Sequence, residues 1–373
     1  MSKQIKKVMK TKVTYFFISG RKSRLSKKSD SFAKEFFYGY FYLKNKYKNI
    51  EIIEFEDKKT FFNLIYKILN KISNLPFYCN FLVNKKNYIA LKNTKNMIFT
   101  NQNTAFSAFP LILIAKLKHG IKSHVFVMGL LGKKMNYKIK DFFRNFFIKS
   151  LIYLSDNIIF LGQGELDLAK LKYPKYLHKF KFLPFAVDVN FWNQKNKINK
   201  KIEVLFIGND GMRDYEFLYD LSNKLQDVSF NFVSNNLNEY NFGTNVKLYS
   251  GSWRTEEFTD EFIRNLYQKS TLTILPIKET YQPSGQSVAL QSMSCGTPVL
   301  ITKTKGFWDM ENFVNNKNIF FLEENNLDKW EDSIRNILSD PAKLKSVSEN
   351  CRSLIVERYN LEKFNTKLEK LLD

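Results

Sequence analysis

The sequence predicts an α/β protein of two doubly wound domains facing each other across a cleft. Three observations lead there. The chain has 373 residues, more than one average domain. Short apolar segments alternate with helical ones through its first half, which implies a parallel sheet with helices on both faces. After a Lys- and Asn-rich stretch, Asn193–Lys201, the alternation starts again.

In the first half the strand-like segments are Val13–Ser19, Ile50–Phe55, Met97–Thr100, Val125–Met128 and Asn157–Leu161. Phe32–Leu43 reads as one helix between the first two. In the second half Glu203–Ile207 leads into Gly208-Asn-Asp-Gly211 and a helix from about Tyr215. Ser229–Val233, Val246–Tyr249, Thr271–Leu275 and Pro298–Thr302 follow as strands, and a helical stretch from Ala342 breaks near Asn360. The expected domains are 1–193 and 202–355, with a last helix over 356–373 that returns to the first domain. Two such sheets bind ligands at the carboxyl ends of their strands.

Composition narrows the function. The three cysteines, Cys79, Cys295 and Cys351, lie far apart and form no CxxC pair, which argues against a zinc or disulfide framework. No apolar run approaches the roughly 18–20 residues a membrane span needs. Val13–Ser19 reads as a first strand rather than a secretory leader. Charge is divided sharply. Residues 1–195 hold 37 Lys and Arg against 11 Asp and Glu, whereas the remainder holds 22 against 25. A compositional bias of the whole genome would load both halves alike. The basic half is therefore expected to face an anionic partner, a membrane surface or a nucleic acid.

Two loops in the second half have phosphate-binding character. Gly208-Asn-Asp-Gly-Met-Arg213 joins a strand to a helix, and Arg213 adds a guanidinium able to hold two phosphate oxygens. Its spacing is neither GxGxxG nor GxxxxGK[ST], so neither a dinucleotide fingerprint nor a P-loop is present. Pro283-Ser284-Gly285-Gln286-Ser287 opens a short helix whose first N–H groups lack partners within the helix and favour an anion. Gly296 is placed to end that helix. Paired in one domain, the loops predict a nucleotide diphosphate site.

The stretch Ser284–Val299, ending Cys-Gly-Thr-Pro-Val, resembles the donor-site motif of retaining glycosyltransferases of the GT-B fold, family four. Leu183–Phe191 resembles that family's signature ahead of the interdomain linker, and Val204–Gly208 with Asn209 and Arg213 its first strand and basic loop. The resemblance implies a hexosyltransferase that binds a nucleotide-diphosphate sugar and needs no cofactor or metal. Gly208, Asn209, Arg213, Ser284, Gly285, Gln286, Ser287 and Gln291 are the donor-binding residues it implies. Two positions depart from the pattern. Pro283 and Gln291 stand where the family has glutamates, which leaves Glu279 as a substitute, and Met128 stands where it often has a histidine. No catalytic side chain is assigned. His124, at the start of the Met128 strand, reads as structural.

The basic half contains two apolar-basic helices. Lys58–Ile72 spaces Phe61, Leu64, Ile65, Ile68, Leu69 and Ile72 by three and four, with Lys67 and Lys71 among the other positions. Asp141–Lys149 repeats the theme behind Lys133 and Lys134. Either helix can face a core or lie in a membrane interface. Arg21 and Arg24 form a basic loop after the first strand, where an acceptor phosphate or a lipid surface is in reach. The combined expectation is a cytoplasmic enzyme, peripheral at the inner face of a membrane, transferring sugar to a lipid or lipid-linked acceptor. The alternatives are a catalytically silent relative and a basic nucleic-acid binder, for which no helix-turn-helix, zinc finger or aromatic RNA-binding pattern is present.

Overall fold

The computed structural model describes residues 13–28, 30–47, 49–56, 63–132, 137–194, 201–251 and 257–372. Strands β1 (Val13–Phe17), β2 (Ile50–Glu54), β3 (Asn96–Phe99), β4 (Lys122–Val127), β5 (Asn157–Phe160) and β6 (Phe180–Phe182) form one parallel sheet in the order β2-β1-β3-β4-β5-β6. The second sheet holds β7 (Ile202–Ile207), β8 (Phe230–Val233), β9 (Val246–Tyr249), β10 (Ser270–Leu275), β11 (Val299–Thr302) and β12 (Phe320–Leu322), ordered β12-β11-β10-β7-β8-β9. The two doubly wound domains read from the sequence are thus present. Strands such as β1 and β3 are buried on both faces, which is why they appear as unbroken apolar runs.

Two differences from the sequence reading matter for the site. Phe32–Leu43 is not one helix: a 3₁₀ turn at Glu35–Phe37 stops at Tyr38 and Gly39, both at positive φ, and a new helix runs Tyr40–Lys46. The edge strands β6 and β12 complete the sheets with only three residues each. So short a run, in β6 interrupted by Lys181, gives no periodic signal.

In doubly wound sheets ligands bind where the strand order reverses. That point lies between β1 and β3 in the first sheet and between β7 and β10 in the second. A continuous apolar core joins the two, running from Tyr15 and Phe17 through Phe185 and Trp192 to Val299 and Ile301. The helix Pro341–Arg358 packs on the Gln286–Ser294 helix. After Tyr359, whose carbonyl accepts from the Val187 N–H at 2.8 Å, the helix Leu361–Leu372 lies against the first domain. There the Tyr42 hydroxyl and the Lys46 ammonium meet Glu369 at 2.7 Å, and Phe364 stacks on Phe126 at 6.1 Å.

His124 lies at the far end of β4 from the cleft. It is buried, with Nε2 3.1 Å from Asn96 Oδ1 and Nδ1 3.0 Å from Asn157 Nδ2. An amide oxygen on one side and an amide NH₂ on the other fit the neutral ring protonated at Nε2. Burial, the largest effect, holds its pKa down near about 4. Both asparagines also donate to the carbonyls of Leu371 and Leu372, so this cluster anchors the last helix.

Replacing Phe364 with Ala is expected to cost about 3 kcal/mol, the usual cost of emptying a buried aromatic site. Urea unfolding checks this, and a loss below about 1 kcal/mol would mean the last helix contributes little to the first domain.

Candidate active site

At the switch point of the second sheet, the loop after β7 meets the loop after β10. Arg213 is 3% exposed, and its backbone bridges to Ile277 beyond β10. Its Nη1 donates to Ser284 Oγ at 2.8 Å and lies 3.4 Å from Asp210 Oδ2. Ser284 Oγ donates in turn toward the Asp210 carboxylate at 3.1 Å. The Nε–H has no partner among the described residues. Gly208 lies directly beneath the guanidinium, and a Cβ there would come within 2.5 Å of Nε. Only glycine admits this packing.

Gly285 precedes the helix Gln286–Ser294 at φ +84°, a conformation that costs other residues strain. No side chain caps the helix, so its first N–H groups face the cleft together with Arg213. The Gln286 side chain is committed elsewhere, donating to the Leu161 carbonyl at the end of β5 at 2.9 Å. Phe36, Tyr38, Met128, Leu161 and Phe185 close the opposite wall of a cleft of about 170 Å³. One wall is cationic and the other mostly apolar. That arrangement can hold a compact anionic group against the second domain while an organic group rests on the first.

The remaining candidates divide. Ser287 lines the cleft. Asn209 does not: its Oδ1 accepts from Ser234 Oγ at 3.0 Å and the Asn235 N–H at 2.8 Å, which fastens the ends of β7 and β8 together. Glu279 is exposed and accepts from the Lys305 N–H at 3.2 Å, so it does not fill the place left by Pro283. Gln291 is buried away from the cleft, donating to Glu35 Oε1 at 2.8 Å and accepting from the Tyr267 hydroxyl at 3.2 Å. Arg24 is buried in a two-pronged ion pair with Asp260 across the domain boundary, at 2.9 and 3.3 Å. This corrects its reading as a membrane or acceptor contact, because a guanidinium spent on Asp260 cannot reach either. Arg21 follows β1 and is not itself among the residues lining the cleft, but its guanidinium lies 5.6 Å over the ring of Phe36, which is. Lys67 and Lys71 are exposed on the helix Asn63–Ser73. Phe61, Lys133 and Lys134 lie outside the described residues.

Sequence reasoning missed Glu35. Its carboxylate is 2% exposed and sits at the meeting of both domains and the linker. Oε1 accepts from Trp192 Nε1 at 2.6 Å as well as from Gln291. Burial pushes its pKa up to about 7, against the pull of the Gln291 and Trp192 hydrogen bonds, and nearby Asp260 adds to the rise. A carboxyl in a loop gives no such sign in one dimension. Glu165 was also missed. Its buried carboxylate accepts from the Gly129 and Leu131 N–H groups at 2.8 and 2.9 Å and so shapes the loop that presents Met128.

Two parallel doubly wound sheets, with an anion-ready switch point facing an apolar wall, define the GT-B class of glycosyltransferase architecture. Residues 194–354 match the model of the family Glycosyl transferases group 1. The second domain is therefore a domain of that family, and the chain is a glycosyltransferase. Among solved structures it is similar to sucrose-phosphate synthase from Thermosynechococcus elongatus, with a TM-score of 0.69 at 13% identity, covering 96% of this chain and 98% of that one. It is also similar to HepE from Anabaena in complex with UDP and glucose, with a TM-score of 0.65 at 12% identity over 97% and 99% of the two chains. TarM matches 76% of this chain at 14% identity and a TM-score of 0.59, and the match spans only 55% of TarM. No curated protein sequence matches the chain.

The pH dependence of Glu35 is a direct test of the domain junction. Its folded pKa is raised, so its contribution to stability is complete below the ordinary carboxyl value of 4.5 and is lost as pH rises through about 7. Relative to wild type, Glu35→Gln should therefore gain melting temperature steadily between pH 4.5 and 8. An offset independent of pH would show that Glu35 is not held as described.

Proposed function

We propose that the protein is a retaining glycosyltransferase that moves a sugar from a nucleotide-diphosphate donor to a lipid or lipid-linked acceptor at a membrane surface. The observation that carries the donor half is Arg213, buried beneath Ser284 at the amino end of the Gln286–Ser294 helix.

In this reading the donor's diphosphate rests on Arg213, Ser284 Oγ and the N–H groups of Gln286 and Ser287. Negative charge grows on the leaving diphosphate as the glycosidic bond breaks. Fixed donors in a partly dry site stabilise that charge without having to reorganise. Asp210 stands off the phosphates and holds Ser284 and Arg213 in place. Among the described residues that line the cleft it is the one carboxylate, and it is already engaged by both neighbours. A double displacement would need a free carboxylate on the sugar's far face. The engagement of Asp210 thus supports front-face attack, with the acceptor oxygen entering on the side the diphosphate leaves and configuration retained. The similarity to structures solved with UDP and with UDP-glucose supports a uridine nucleotide as the first donor to try.

The membrane half rests on an exposed apolar face of the first domain. The helices Asn63–Ser73 and Lys138–Leu154 pack side by side. Tyr66 and Leu69 turn into the core, yet Leu64, Ile65 and Ile68 are at least half exposed. Ile139, Phe142, Phe146 and Tyr153 are exposed along the second helix. An apolar groove of about 400 Å³ continues the face between Phe109, Leu113, Phe146, Tyr153 and Tyr176, with Lys149 at its edge. Contiguous apolar surface rimmed by lysines is expensive in water and suited to the headgroup boundary of an anionic leaflet. No helix among the described residues is long and apolar enough to cross a membrane. Peripheral attachment at the cytoplasmic face, where nucleotide sugars are made, follows from this reading.

Two outcomes test it. Calorimetric titration with UDP and GDP should give micromolar binding of one of them, weakened about tenfold or more by Arg213→Ala and by Gly285→Ala. Unchanged affinity in both variants would remove the diphosphate assignment. The double variant Phe142→Ser, Phe146→Ser should lose cosedimentation with phosphatidylglycerol vesicles while keeping nucleotide affinity, and equal sedimentation would move the membrane contact elsewhere.

A further inference from the structure

We propose that Arg21 and Tyr38 form a binding site for a phosphate group carried by the acceptor, on the wall of the cleft opposite Arg213. This deepens the glycosyl-transfer reading above and rests on it.

Arg21 follows β1 at the switch point of the first sheet, where a ligand crevice is expected. Its guanidinium lies over the rings of Phe36 at 5.6 Å and Phe37 at 6.0 Å. It forms no hydrogen bond or ion pair with another described residue. The two carboxylates in the neighbourhood are occupied. Glu54 Oε1 accepts from the N–H groups of Arg21 and Lys22 at 2.5 and 3.1 Å, so it serves the main chain. Asp260 takes Arg24 and the Ala33 N–H at 2.8 Å. Arg21 is thus a half-buried cation whose guanidinium lacks a bonded anion. Burial, the largest effect, and the neighbouring Arg24 lower its pKa, while Tyr38, Asp260 and Glu54 pull it back up.

Tyr38 supplies an independent observation. It is 7% exposed and lines the cleft, and its hydroxyl has no hydrogen-bond partner among the described residues. The hydroxyl is not sealed from solvent, so it is free to donate to a group that enters the cleft. Its backbone is at φ 47°, ψ 52°, left-handed and strained for an aromatic residue. That conformation is held by the Tyr15 hydroxyl, which donates to the Tyr38 carbonyl at 2.9 Å. Strain maintained in this way turns the ring toward the cleft rather than along a helix. The Arg21 guanidinium rests on the ring of Phe36, which lines the same cleft as Tyr38, so the two polar groups border one cavity.

A phosphate monoester or a lipid phosphate fits this pair. Two of its oxygens take the guanidinium fork and a third accepts from the tyrosine hydroxyl. Lys at position 21 keeps the charge and loses the fork. The cleft then has one cationic site on each wall, Arg213 for the leaving diphosphate and Arg21 for the acceptor's phosphate, with the reacting oxygen between them.

The test titrates the full chain with glycerol 3-phosphate in saturating UDP or GDP, so that the Arg213 site is already filled. A parallel arm measures cosedimentation with phosphatidylcholine vesicles with and without phosphatidic acid. Wild type should bind at least one of the two phosphate probes. Arg21→Ala should lose about tenfold or more, and Arg21→Lys and Tyr38→Phe smaller factors. Binding of glycerol 3-phosphate assigns the site to a soluble phosphate. Arg21-dependent binding of phosphatidic acid vesicles alone assigns it to a lipid headgroup. Either supports the proposal. Equal binding by wild type and Arg21→Ala, or no binding of either probe, overturns it. Nucleotide affinity, read first in each variant, reports folding and tests the donor reading separately.

Discussion

The Glu35 carboxylate, buried where both domains and the linker meet, is the interaction on which the cleft depends. It accepts from Gln291 on the donor-side helix and from Trp192 just ahead of the linker. Three residues later the chain reaches the left-handed Tyr38 that forms the cleft's opposite wall. Arg24 with Asp260 and Gln286 with the Leu161 carbonyl add two more ties across the same boundary. Isolated buried charges are costly, and here each is matched: Arg24 by Asp260, and Glu35 by two N–H donors and a raised pKa. The relation between the two sheets is thereby fixed by directional bonds as well as by apolar contact.

Gln291 takes its meaning from this junction. An amide at that position both donates and accepts, and here it does so between Glu35 and Tyr267. A glutamate in its place would set a second carboxylate within hydrogen-bond distance of Glu35 and repel it. The departure from the family pattern at residue 291 is thus physically coupled to the presence of Glu35, 256 positions away in sequence.

Much of the fold was legible in the sequence because strands buried on both faces leave apolar runs, and polar loops separate them. The three-residue edges β6 and β12 were illegible for lack of length. The break in Phe32–Leu43 was signalled only by Gly39, since nothing local marks Tyr38 as left-handed. At the site, Gly208, Arg213 and the Ser284–Ser287 turn were readable from loop position and chemistry, and the structure brings them together. Asn209, Glu279 and Arg24 are polar too, yet are drawn off by Ser234, Lys305 and Asp260. Competition for a polar side chain is settled in three dimensions, and the sequence does not show the competitors.

The most direct test of the central claim is a crystal structure of the chain grown with UDP or GDP, whichever binds. The account predicts the β-phosphate within hydrogen-bond distance of the Arg213 guanidinium and the N–H groups of Gln286 and Ser287. A nucleotide seated elsewhere, with Arg213 still turned to Asp210 and Ser284 alone, would contradict it.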